Sequence, residues 1–217
     1  MMNKDRLCML VPDGAYERVL PVLLRDRRES LGIAQVDFIP PIKDPNRDSS
    51  YEAASLIRPY LGSCTHFLMV RDLHGSGWEA KGADALKEKL TRDLHAIGCP
   101  PERSKVIIVE PEIEIWLRIG STHVKQLVRQ RARAHGTEVD MLFDELVQEK
   151  LLANGGINTL GKPIDPKKVF EEVLKHYRII RSNVLYEELA KTESLRHCRV
   201  PSFLDLVNTL QTWFPTP

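Results

Sequence analysis

Apolar positions follow two rhythms along this chain. Leu7–Val11, Phe67–Val70 and Lys105–Val109 are short, nearly continuous apolar runs, the pattern of strands buried on both faces. Ile33–Ile39 alternates apolar with polar and reads as a fourth strand, second in chain order, with Pro40-Pro41 ending it. Between the strands the spacing turns helical. Tyr16, Val19, Leu20, Leu23 and Leu24 fall on one stripe from Ala15 onward, with Pro21 expected to kink the helix and a close near Gly32. Tyr51–Leu61 predicts a shorter helix. Glu79–Ile97 predicts a long amphipathic one, with Ala83, Leu86, Leu90, Leu94 and Ile97 inward. Strands alternating with helices of this length imply a parallel sheet with right-handed crossovers, an α/β fold.

The second half has no comparable strand pattern. Helices are expected over Val124–Ala134 and Val139–Ala153, from Pro166 to about Tyr177, over Leu185–Lys191, and from Ser202 to about Trp213. Ser202 with Asp205 three residues on predicts an N-cap of capping-box type. The division expected is an α/β domain over 1–119 and a helical C-terminal extension over 120–217 that packs on the sheet.

Composition narrows the classes. Net charge is +1 with 28% charged residues, so no global excess argues for nucleic acid or a membrane surface. No apolar run approaches the ~18 residues of a membrane span. The N-terminus lacks the apolar middle of a signal peptide, and four scattered cysteines form no CxxC pair, which together predict a cytoplasmic protein with reduced thiols. No P-loop or GxGxxG follows a strand, and the seven histidines show no zinc spacing. Trp78 and Trp116 are expected to be packing residues. Lys125, Arg129, Arg131, Arg133 and His135 make a local basic stretch able to meet phosphates, while Arg25, Arg27 and Arg28 suit a helix C-terminus.

The candidate chemistry lies where strands stop. Asp13 and Glu17 follow the first strand, Asp72 and His74 the central one, and Glu110, Glu112 and Glu114 the last. In an open parallel sheet ligands sit beyond the carboxyl ends of the strands. Carboxylates gathered there raise one another's pKa unless a cation joins them, and Mg²⁺ or Mn²⁺ is the cation that oxygen-rich sites take, His74 favouring Mn²⁺. A phosphodiester substrate is the corresponding expectation. Most of these acids also have a purely structural explanation: Asp13 as a turn residue and helix cap, Asp72 capping a turn or pairing with Arg71, and Glu17, Glu112 and Glu114 at helix starts.

The residues also carry a resemblance. Asp13-Gly14-Ala15-Tyr16-Glu17, opening a helix after a strand, resembles the acidic-Gly-x-x-Glu start of Toprim domains, and Asp72-Leu73-His74 resembles their Asp-x-Asp element. Glu110–Leu117 is similar to the Pro-Glu-x-Glu-x-Trp segment of a Toprim-like group found among phage-defence genes, related to nucleases of the overcoming-lysogenization-defect family. Pro166-Lys167-Lys168 and Cys198–Phe203 resemble that group's tail. The resemblance implies a Toprim-like sheet and a divalent-metal-dependent nuclease in bacterial antiviral defence, with nucleic acid and other defence subunits as partners and no membrane. It implies Asp13, Glu17 and Asp72 as catalytic residues, and Asp72, His74, Glu110 and Glu112 at the metal. The usual first Glu is the shorter Asp13 here, and His74 replaces the second Asp, a change that lowers the negative charge of the site. The alternative expectation is therefore a catalytically inactive scaffold subunit on the same fold.

Overall fold

A computed structural model describes residues 5–45, 52–134, 143–193, 195 and 198–216. In chain order its elements are β1 (Arg6–Val11), α1 (Gly14–Arg25), β2 (Asp37–Phe38), β3 (Ile42–Lys43), a 3₁₀ helix (Ala53–Tyr60), β4 (His66–Asp72), α2 (Ala83–Ala96), β5 (Ser104–Val109), a 3₁₀ turn (Ile113–Trp116), α3 (Thr122–Ala134), α4 (Phe143–Ala153), α5 (Pro166–His176), α6 (Asn183–Thr192) and α7 (Pro201–Trp213). The strands form one parallel sheet in the order β2-β1-β4-β5, with β3 pairing the far end of β1. Helices cover both faces, as an all-parallel sheet requires.

Period-two alternation sorts the strand residues between two cores. Leu7, Met9, Val11, Leu68, Val70, Ile107 and Val109 face α1 and the C-terminal helices in one hydrophobic cluster. Cys8, Leu10, Phe67, Met69, Val106 and Ile108 face Leu86, Leu90 and Leu94 of α2, and Ile57, in the other. All four cysteines are buried and unpaired. Among the described residues no helix is long and apolar enough to cross a membrane.

Several local expectations are corrected. The strand expected over Ile33–Ile39 shrinks to Asp37–Phe38, and pairing with β1 resumes at Ile42–Lys43 beyond Pro40-Pro41. The prolines lack N–H donors, so they interrupt this edge strand without ending it. The helix expected over Tyr51–Leu61 is a 3₁₀ helix over Ala53–Tyr60, and Tyr51 lies outside the described residues. The helix expected from Glu79 starts only at Ala83, because Glu79 accepts the Gly75 N–H (2.7 Å) and Gly82 turns left-handed (φ +86°). The stretch 139–142 also lies outside the described residues.

Ser202 is not the α7 cap. Val200 takes that position with Pro201 at the first helical residue, and Ser202 Oγ accepts the Trp116 Nε1–H at 3.0 Å. Asp205 instead holds Lys87 of α2 and Lys105 of β5, each at 2.7 Å. Arg27 does not cap its own helix either; its Nη1 donates to the Lys191 carbonyl at the end of α6 (2.9 Å).

The C-terminal helices share the core of the sheet. Trp116, packed edge-on against Tyr16 of α1 and Phe203 of α7, joins the two halves. Truncation of Phe203 to Ala is expected to cost about 3–5 kcal/mol in urea unfolding, as one transition with an unchanged slope, because its cavity opens beneath both parts. Two separated transitions, only one of them shifted, would show that the halves unfold apart.

Candidate functional site

The β1–β4 ladder runs from Leu7–His66 to Leu10–Met69. Continued along both chains, this register sets Asp13 level with Asp72. Asp13 caps α1: its Oδ1 accepts the N–H groups of Ala15 (2.9 Å) and Tyr16 (3.3 Å). The start of α6 crosses close by: a Cβ on Gly14 would fall 2.2 Å from the Asn183 side-chain amide, so any larger residue there requires that side chain to move. Tyr16, in the first turn of α1, is fully buried and donates its hydroxyl to Asp72 Oδ1 at the end of β4.

Pairing of β4 with the segment after β5 persists beyond the strands, through Leu73 N–H to Val109 O (2.8 Å) and His74 N–H to Pro111 O (3.2 Å). It brings His74 Nδ1 within 2.6 Å of Glu112 Oε1. The other oxygen of that carboxylate meets Lys167 Nζ of α5 at 2.7 Å. Beneath them Glu114, 1% exposed, takes the Tyr186 hydroxyl and Arg181 Nη1 (3.0 Å), and Arg181 also reaches Glu171 at 3.0 Å. A cleft of about 190 Å³ opens above, lined by Pro12, Asp13, Asp72, His74, Gly75, Glu112, Lys167 and Arg181.

Burial drives the electrostatics. It pushes the Asp72 carboxyl well above the ordinary range, and the charges of Asp13, Glu112 and Glu114 push it further, against the Tyr16 hydrogen bond. Burial also raises Glu114, opposed by Tyr186 and Arg181. Tyr16 and Tyr186 are raised by burial and by the neighbouring acids, so both hydroxyls remain donors. For Lys167 burial acts against the charge, but the Glu112 contact prevails and its pKa rises.

Four of the expected residues meet here: Asp13, Asp72, His74 and Glu112. Two do not. Glu17 is exposed on the outer side of α1, in a groove with Arg18, Pro21, Glu187 and Lys191, because the inward stripe of α1 is taken by Tyr16, Val19, Leu20 and Leu23. Glu110 follows Ile108 onto the opposite side of β5, into a cleft with Lys87, Pro111 and Asp205. The alternation that places Asp72 at the cleft turns Arg71 the other way, where it forms a buried ion pair with Asp44 instead of pairing Asp72. Of the basic stretch, Lys125 is held by Asp144 (2.7 Å) and Arg131 by Glu188; the Arg133 side chain and His135 lie outside the described residues.

The donor set does not fit Mg²⁺ or Mn²⁺ as it stands. Glu112 has both oxygens engaged, Asp72 is drawn toward its protonated form, and Glu110 is elsewhere. Among the described residues no group of three or more His, Cys, Asp or Glu side chains is placed to hold a metal ion. The strand-end pattern overlooked Lys167, Arg181, Tyr16 and Tyr186, which reach the acids from far along the chain. The signals for Lys167 are its place in the Pro166-Lys167-Lys168 stretch and a cation in the first turn of a helix, where the dipole disfavours it.

An acid whose pKa rises on folding holds its proton more tightly in the native state. Its contribution to stability is therefore full at low pH and is lost as pH climbs through the native value. Asp72→Asn keeps an acceptor for Tyr16 but cannot ionise. Its melting temperature is expected to exceed that of the wild type at neutral pH and to converge on it near pH ~3–4, the unfolded carboxylate range; a variant that keeps the wild-type pH profile would contradict this. Comparison with protein-family models, with curated proteins and with solved structures finds no match.

Proposed function

We propose that this chain is a Toprim-like component of a bacterial phage-defence system, and that its cleft receives a phosphodiester of nucleic acid for cleavage. One observation carries the proposal: Asp13, Asp72 and Glu112, at or beyond the ends of three strands, meet at one rim of a parallel sheet beside two cations, Lys167 and Arg181. The cations supply the charge that a phosphate needs. Asp72, with its raised pKa, holds a proton for the departing oxygen, and Asp13 is the group placed to take one from the attacking water. The place in phage defence rests on the resemblance of Asp13–Glu17, Asp72–His74 and Glu110–Leu117.

The test is cleavage of single- and double-stranded DNA and RNA, run with EDTA, Mg²⁺ or Mn²⁺. Asp72→Asn is expected to slow cleavage by about 10²-fold or more, the usual worth of a general acid. Absence of cleavage on every substrate, or equal rates for both proteins, refutes the enzyme.

A second reading has its own support. Every acid of the rim already has a partner: backbone N–H groups for Asp13, Tyr16 for Asp72, His74 and Lys167 for Glu112, Tyr186 and Arg181 for Glu114. That fits a nuclease-derived scaffold subunit without chemistry. Co-purification with the products of neighbouring genes, unchanged by Asp72→Asn and with no cleavage by either protein, would select it.

A further inference from the structure

Lys167 is placed against local preference. It follows Asp165, the cap of α5, and Pro166, and so stands in the first turn of a helix, where an anion is favoured. What holds it there is Glu112, a carboxylate 7% exposed whose two oxygens are shared between Lys167 (2.7 Å) and His74 (2.6 Å). An ordinary solvated lysine would be free to swing into water. This one bridges α5 to the loop after β5, and with its side chain 37% exposed it also lines the cleft beside Arg181. An ammonium has three protons; one bond to Glu112 leaves two for a ligand in the cleft.

We infer that Lys167 stands where an acidic phosphoryl-transfer site would take a divalent cation: it neutralises Glu112 and offers its remaining protons, with Arg181, to a phosphate oxygen. The cleft then binds the phosphate group itself without a metal, and a divalent cation gains access to the carboxylates only when the ammonium is gone. This rests on the cleft being a phosphate-ester site and names the group that makes it one. It also accounts for the poor fit of the donor set to Mg²⁺ or Mn²⁺. Glu112, the rim acid between His74 and α5, is already paired with a cation belonging to the chain.

The experiment is calorimetry and thermal melting of the full chain with inorganic phosphate and, separately, with MnCl₂. Wild type is expected to bind phosphate and to melt at the same temperature with or without millimolar Mn²⁺. Lys167→Gln should bind phosphate at least tenfold more weakly and acquire stabilisation by Mn²⁺, which Asp72→Asn in the same protein should remove. Lys167→Arg should keep phosphate binding and remain indifferent to Mn²⁺, a control that stands even if the Gln variant folds poorly. Wild type that binds Mn²⁺ as well as Lys167→Gln does, wild type that ignores phosphate, or a Gln variant with undiminished phosphate binding would each overturn the inference. Failure of the nuclease is separable: no cleavage with these ligand results intact removes the enzyme and leaves the anion site. Cleavage by a wild type that binds Mn²⁺ directly does the reverse.

Discussion

β1 and β4 lie side by side in parallel, joined from Leu7–His66 to Leu10–Met69, and the geometry of the cleft descends from that ladder. Because the strands run the same way in a defined register, the turn after one and the loop after the other leave the sheet at the same height. A slip by one residue would turn Asp72 into the α2 core and bring Arg71 to the rim. The register is held by the apolar faces on both sides: Leu68 and Val70 are committed to one cluster, Phe67 and Met69 to the other. The packing that stabilises the fold is thus the same packing that decides which charged side chain meets the cleft.

Gathering acids at a rim carries an electrostatic cost, and the chain meets it by three means. Asp13 is solvated by the N–H groups of α1. Asp72 and Glu114 are buried, which raises their pKa values and lessens the charge they bring, and each takes a tyrosine hydroxyl that satisfies it. Glu112 and Glu114 are matched by Lys167 and Arg181. Such pairs add little net stability, since desolvation offsets much of the attraction, but removing one partner leaves an uncompensated charge. The arrangement is better understood as setting the charge of the cleft than as holding the fold together.

Strands β1, β4 and β5 were legible in the sequence because both faces of each are buried, which writes a continuous apolar run. The edge was legible only in part: the alternation over Ile33–Ile39 found β2 but overstated its length, and β3 was missed because Pro40-Pro41 cut the pairing into two-residue fragments. At the site, the strand-end rule found Asp13, Asp72, His74 and Glu112 but also gathered Glu17 and Glu110. The strand-end rule took no account of side: the inward stripe through Tyr16 turns Glu17 outward, and alternation carries Glu110 to the opposite face of β5. The expectation that Trp116 packs was met in its contacts with Tyr16 and Phe203. Lys167 and Arg181 were not legible as cleft residues, because the rim acids they meet, Glu112 and Glu114, lie more than fifty residues away and are chosen by how α5 and α6 dock.

That docking gives the helical half a part in the cleft. Residues before 119 contribute the acids Asp13, Asp72, Glu112 and Glu114, together with Tyr16 and His74. Residues beyond it contribute Lys167, Arg181 and Tyr186. The α/β half alone would present four carboxylates around one opening with only His74 to offset them, a concentration of like charge that raises every pKa or recruits a cation. Closing the helices over that rim supplies two cations at fixed positions, along with the Tyr186 hydroxyl that buries Glu114 at tolerable cost. The sign of the cleft is therefore a property of the two halves together, acids from one and cations from the other.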